Sequence, residues 1–177
     1  MVDLIHIGQA EELILEGRSI PQEGKITKPY GLWYAEGWAW LKWCESEQFQ
    51  VKTLNQGKAW KLRLDPQAAI LRLSDRLKLL EFVDQYKIRI TSYFIGIDWE
   101  KVRMDGWKGV EFIPYLYNFR MDIDTVGVWY SGVDVPSGCI WDVSAISRVE
   151  KIEKPLCRER VWDEYAGEWV ERNLSSY

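Results

Sequence analysis

An α+β domain is the fold class this 177-residue chain predicts, and three features predict it. Short apolar or alternating runs, each long enough for one strand, recur along the chain between segments with three- and four-residue apolar spacing. Glycine, proline and aspartate stand at the joints between them. One stretch, Lys28 to Cys44, holds four of the eleven tryptophans and joins both kinds of structure. Pro29 and Gly31 mark a turn, Leu32 to Ala35 reads as a buried strand, and from Glu36 onward Trp40, Trp43 and Cys44 recur at helical spacing. Aromatics at a strand-to-helix junction suit a ligand cleft. A tryptophan-rich corner of the core is the alternative.

In chain order, Asp3 to Ile7 predicts a strand that carries the only histidine, and Gln9 to Glu16 a short amphipathic helix closed by Gly17. Arg18 to Thr27 reads as a loop. The tryptophan helix ends near Gln48, and the polar segment around Asn55 and Gly57 suggests a hairpin connection. Trp60 to Asp65 alternates apolar and basic residues as a strand with one wet face, stopped by Pro66. Ile70 to Leu73 is a further strand, and Ser74-Asp75 starts a helix bearing Leu77, Leu80, Phe82, Val83 and Tyr86. Ile88 to Ile97 fits an edge strand or an extended loop. Asp98 caps a short helix, Trp99 to Met104, that Gly106 ends. Gly109 to Pro114 is a strand with Glu111 at its middle, Tyr115 to Asp124 a loop leading to Val126 to Tyr130, and Ser131 to Pro136 a turn before a strand over Gly138 to Val143. Residues 1–152 form the domain, and 153–177 read as a helical tail docked on it by Trp162 and Trp169.

Composition sets limits. Hydrophobic residues at 47% and charged residues at 28% match an ordinary globular domain, and no apolar run approaches the roughly 18–20 residues of a spanning helix. The amino terminus lacks a signal-peptide pattern, so a cytoplasmic location without membrane contact is expected. Cys44, Cys139 and Cys157 have no Cys-x-x-Cys spacing and read as buried thiols, and no metal is expected. The net charge of −4 argues against a broad non-specific nucleic-acid surface but permits a local basic groove.

Three separated segments carry a family resemblance. Leu4-Ile-His-Ile-Gly8, Gly31-Leu-Trp-Tyr-Ala35 and Ser137-Gly-Cys-Ile-Trp-Asp142 resemble, in order and spacing, the three signature strands of the ADP-ribosyltransferase family. The likeness is to its poly(ADP-ribose) polymerase and diphtheria-toxin branch, and it runs to about Ile152. That family's strands read like Leu-Tyr-His-Gly-Thr, Gly-Leu-Tyr-Phe-Ala and Glu-Tyr-Val-Val-Tyr-Asp. The resemblance implies a split β-sheet core with flanking helices, NAD as substrate, and mono-ADP-ribosyl transfer to a protein or nucleic-acid acceptor, a glycosyltransferase reaction.

The resemblance makes His6 the residue that holds the NAD ribose, with the backbone of Ile7 or Gly8 on the nicotinamide amide. Ile7 stands where the family places the glycine. Trp33 and Tyr34 are the candidates to stack on nicotinamide, and alternation lets only one of them face the ligand; Tyr34 is preferred, since an aromatic precedes a small residue there in the family. Ser137 falls where the family has its catalytic glutamate and supplies no charge. Asp134 is the first substitute for that carboxylate and Glu111 the second. Lys28 and Arg120 are candidates for the pyrophosphate. A catalytically inactive module of the same fold that only holds a nucleotide or a partner is the alternative. A 2′-phosphate-transferring relative ranks last, because no basic motif adjoins His6. The sequence names neither acceptor nor oligomeric state.

Overall fold

The structure, a computed structural model, describes residues 2–15, 19–24, 26–89, 91 and 94–172. The strands are β1 (Leu4–Gly8), β2 (Leu32–Glu36), β3 (Lys58–Leu64), β4 (Ile70–Arg72), β5 (Lys87–Arg89), β6 (Ile95–Ile97), β7 (Gly109–Phe112), β8 (Ser137–Ile140), β9 (Ile146–Ile152), β10 (Glu159–Asp163) and β11 (Glu168–Arg172). The helices are α1 (Ala39–Ser46), α2 (Val51–Gln56), α3 (Arg76–Tyr86), α4 (Trp99–Met104), α5 (Ile123–Val126) and α6 (Val128–Ser131). Seven strands form one sheet in the order β4-β7-β8-β2-β1-β3-β9, in which only β4 and β7 run parallel. The fold is α+β. None of its described helices is long and apolar enough to cross a membrane.

Strand alternation gives the sheet two apolar faces. One carries Tyr34, Trp60, Leu62, Ile70 and Ile140, closed by Ala145. On the other, Val110, Phe112 and Cys139 meet Leu79, Phe82 and Val83 of α3, Trp99 and Val102 of α4, and Trp129 and Tyr130 of α6. Its rings meet mostly edge to face, as between Trp99 and Trp129 at 5.7 Å, which suits the quadrupoles of aromatic rings. Farther along, α1 and α2 bury Leu41, Cys44, Val51 and Leu54 with Cys157, and Ile7, Trp38, Trp40 and Trp43 pack on that cluster.

The caps expected at Asp75 and Asp98 form: each side chain accepts a hydrogen bond from the backbone N–H three residues on, at Lys78 and Lys101. Gln22, fully buried, ties the loop before β2 to the helical layer. Its amide group donates to the carbonyls of Ile20 and Tyr30 and accepts from Tyr30 N–H, while its backbone N–H donates to Glu100. Trp99 Nε1–H adds a bond to Thr27 O at 3.1 Å, so the segment that presents Lys28 is held on both sides.

Four expectations are corrected. Residues 9–15 are irregular, not helical, because tertiary bonds hold them: Lys151 Nζ donates to Glu11 O, and Leu13 packs on the Tyr34 face. Glu16 and Gly17 lie outside the described residues. The segment around Asn55 is helix α2, whose Val51 and Leu54 share a buried side. The tail is the hairpin β10–β11, not a helix; Gly167 turns it at φ +67°, and Asp163 Oδ1 accepts from Tyr165 and Ala166 N–H. Trp169 is largely exposed, the side chain of Trp162 lies outside the described residues, and bonds from Arg158 to Glu45 and from Arg160 to Gln48 and Ser46 tie this segment to α1 and the turn after it. The expected strand at Gly138–Val143 ends at Ile140, since Asp142 caps a 3-10 turn at Val143–Ala145. The open stretch Ile88 to Ile97 contains the β5–β6 hairpin, with Ile90, Ser92 and Tyr93 outside the described residues.

Gly138 shows how closely the sheet is packed. The Tyr34 ring crosses over it to reach Glu111, and a Cβ on Gly138 would stand 2.4 Å from the phenol carbon and oxygen. Gly138→Ala is therefore expected to lower unfolding free energy by about 1–3 kcal/mol in urea titrations, the usual cost of overpacking a core. An unchanged midpoint would contradict this packing.

Candidate functional site

The β1–β2 ladder registers only Leu4 with Glu36 and Ile5 with Ala35, while β1 stays paired with β3 through Gly8 and β2 with β8 from Leu32 to Ala35. Beyond Ile5 the two strands part, and a carbonyl of β2 would lose its ladder partner. His6 fills the gap. Its Nδ1 lies 2.6 Å from Trp33 O, and since a carbonyl only accepts, Nδ1 carries the proton and leaves Nε2 as the acceptor in the neutral ring. Burial pulls the imidazole below its ordinary value of 6.5, and the bond to Trp33 opposes this only in part.

Where the strands part there is a cavity of about 300 Å³. Ile5, His6 and Ile7 of β1, Trp33, Tyr34 and Ala35 of β2, Trp40 of α1, Lys28, and the run Gly132 to Val135 with Ser137 line it. It sits between two apolar clusters, one reaching it through Trp33 and Val133 and the other through Ile7 and Trp40. Six of the expected residues therefore meet at one place: His6, Lys28, Trp33, Tyr34, Asp134 and Ser137.

Their roles differ from expectation in four respects. Tyr34 borders the cavity, but the ring offered to it is that of Trp33. Tyr34 is 2% exposed, and its hydroxyl donates to Glu111 Oε2 at 2.9 Å on the opposite face of the sheet. Burial and the Glu111 charge hold its phenol well above the usual value. The preference for Tyr34 over Trp33 is thus corrected, because the register sets Tyr34 beside Gly138 and leaves room for its ring on that side only. Glu111 is not at the cavity either; it is bound to Tyr34 and to Arg72 Nε at 3.3 Å. Gly8 ends β1 and is not part of the lining. Arg120 reaches the site only through Asp134, to whose Oδ1 its Nη2 donates at 2.8 Å.

Asp134 is consequently a nearly buried carboxylate, 14% exposed, between two cations: Arg120, and Lys28 with its Nζ 3.9 Å from Oδ2. The loop that supplies Arg120 is fastened to the same wall, since Leu116 N–H donates to Tyr130 Oη and the Tyr115 and Tyr130 rings stack at 5.7 Å. The Tyr115 hydroxyl is buried with no hydrogen-bond partner, and burial pushes its pKa up to about 12. Ser137, 6% exposed, faces Ala35 across the β2–β8 pair. Sequence reasoning missed Trp40, Val133 and Val135. Trp40 stood in plain view in the tryptophan stretch, but its helical spacing suggested only packing. Among the described residues no group of three or more His, Cys, Asp or Glu is placed to hold a metal ion.

Compared with known proteins, the chain matches no family model, no curated protein and no solved structure. The α+β class and the shared cavity rest on the geometry alone.

His6 is the chain's only histidine, so its titration can be isolated. Its folded pKa lies below the unfolded value of 6.5, so the unfolded chain takes up its proton first. The His6 contribution to stability is complete above 6.5 and is lost as pH falls below it toward the folded pKa. Unfolding free energies measured between pH 7.5 and 5.5 should fall more steeply on acidification in wild type than in His6→Gln, roughly by the slope of one proton. Parallel curves would show that His6 titrates alike in both states.

Proposed function

We propose that the cavity binds the nicotinamide-ribose end of NAD and that the protein is a mono-ADP-ribosyltransferase acting on a protein or nucleic-acid acceptor. One observation carries this reading: His6, Trp33, Asp134 and Ser137, from the three signature-like strands and the turn before the last, border one cavity at the point where two strands part. At about 300 Å³ it is small for a ligand site and would take one end of a dinucleotide, leaving the remainder outside.

In this reading Trp33 stacks on the nicotinamide ring, and His6, whose ring turns toward Trp60 and Gly8, holds the cavity edge in place through its bond to Trp33 O. Asp134 takes the part of the missing glutamate. The bond from ribose C1′ to the nicotinamide nitrogen breaks, and its electron pair leaves with nicotinamide. The acceptor nucleophile then bonds to C1′ and passes its proton to solvent water. Positive charge grows on the ribose during departure, and a fixed carboxylate beside it is the group that stabilises it. Arg120 supplies the fixing.

A second reading has its own support. A carboxylate flanked by two cations presents little net negative charge, which favours a module that holds a nucleotide without cleaving it. Nicotinamide release from NAD separates the two. Asp134→Asn should lower release by roughly 100- to 1,000-fold while calorimetry finds NAD bound nearly as in wild type. Glu111→Gln, remote from the cavity, should leave release near wild type. NAD binding with no release by wild type, with or without acceptors, would favour the holding module; no NAD binding would remove both readings.

A further inference from the structure

Lys28 lies across the mouth of the cavity. From the loop ahead of β2 its side chain runs over Gly132 on the opposite wall, where an added Cβ would stand 2.8 Å from Lys28 Cε. The ammonium ends 5.4 Å from the centre of the Trp33 ring and 3.9 Å from Asp134 Oδ2. One side chain thus occupies the aromatic face a flat ligand would use and masks one oxygen of the carboxylate. Its backbone cannot retreat, because the Gln22 and Trp99 hydrogen bonds fix the segment on either side. The side chain itself can move, being 45% exposed and ending in an ion pair as long as 3.9 Å.

We propose that Lys28 is a cationic bar that makes the site selective for ligands in which a flat ring and a phosphate are joined. The inference rests on the nucleotide reading of the cavity and adds a selection rule to it. A ring without an anion has to displace the ammonium from Trp33 and Asp134 and offers it nothing in return. A ring that brings a phosphate gives the ammonium a stronger partner just outside the mouth, so entry of the ring and movement of the bar are one event. The formal charges agree: Lys28 and Arg120 outweigh Asp134 by one positive charge, and a nicotinamide nucleotide, a pyridinium cation joined to a phosphate of about two negative charges, brings one net negative charge where the riboside brings a positive one. Once Lys28 turns outward, Asp134 keeps Arg120 at 2.8 Å and stays oriented, while Oδ2 becomes free to meet a ribose hydroxyl.

Nicotinamide riboside and nicotinamide mononucleotide, which differ by one phosphate, test the rule by calorimetry at a single ionic strength. Wild type should prefer the mononucleotide by roughly ten- to a hundredfold, the worth of a charge-assisted hydrogen bond. In Lys28→Met the mononucleotide should weaken, the riboside should tighten because the Trp33 face is clear, and the preference should collapse. If the riboside does not tighten, or neither ligand responds to the substitution, the bar is overturned; in the first case Lys28 is only a phosphate anchor. If neither ligand binds wild type, the nicotinamide reading fails, and the bar is judged by a second measurement. Inorganic phosphate should then shift the Trp33 indole N–H resonance, assigned with Trp33→Phe, in wild type and not in Lys28→Met. A resonance that phosphate leaves unmoved in wild type overturns the bar on its own.

Discussion

The interaction on which the site depends is the single bond between His6 Nδ1 and Trp33 O. β1 is held to β3 over five residue pairs and β2 to β8 over four, while β1 and β2 share two. The sheet can part between them only if the backbone groups left behind find partners, since an unpaired buried carbonyl costs as much as a lost hydrogen bond. A side chain that donates to the orphaned carbonyl satisfies it without closing the gap. Histidine does this with one nitrogen and turns the other toward Gly8 and Trp60, so the strands part without an orphaned carbonyl between them.

The sheet's two faces divide the labour. On the Tyr34 side, Tyr34, Glu111 and Arg72 form a hydrogen-bonded row across Gly138 that locks β2, β8 and β7 in register. On the Trp33 side, α3, α4 and α6 pack one half of the sheet and α1 with α2 the other, and the cavity is the space between these two clusters. The row on one face makes the opening on the other tolerable, because β2 is positioned by β8 and Glu111 whether or not β1 follows it.

Much of this was legible in the sequence wherever one element decides its own form. The apolar run Leu32–Ala35, the alternation of Trp60–Leu64 and the Asp75 and Asp98 caps each led to the element found. The misses fall where the deciding partner is distant. Residues 9–15 follow Lys151 and the sheet face, and nothing in their own spacing reveals it. Ile146, Val149 and Ile152 recur every third residue, which conceals a strand whose pairing with β3 shifts register at Arg63/Leu64. Two signals were present and went unused: Val51 with Leu54 for α2, and Gly167 for the terminal hairpin. At the site, sequence order found most of the lining but could not say which of Trp33 and Tyr34 turns inward. That choice is set by Gly138, on another strand, which has room for one ring on one face.

The position of the carboxylate decides what the proposed chemistry requires. A glutamate at Ser137 would be fixed by the sheet itself, whereas Asp134 sits in the turn before β8 and needs a separate anchor. Arg120 is that anchor, and because its loop is also tied to Tyr130, it cannot leave without loosening the wall. Its charge is therefore a constant at the site. Under the transferase reading the negative potential felt by the ribose can rise only through Lys28, whose contact is long and whose side chain is half in solvent. Catalytic competence would then belong to the loaded site and not to the empty one, with the ligand's own phosphate drawing away the cation that otherwise quiets Asp134.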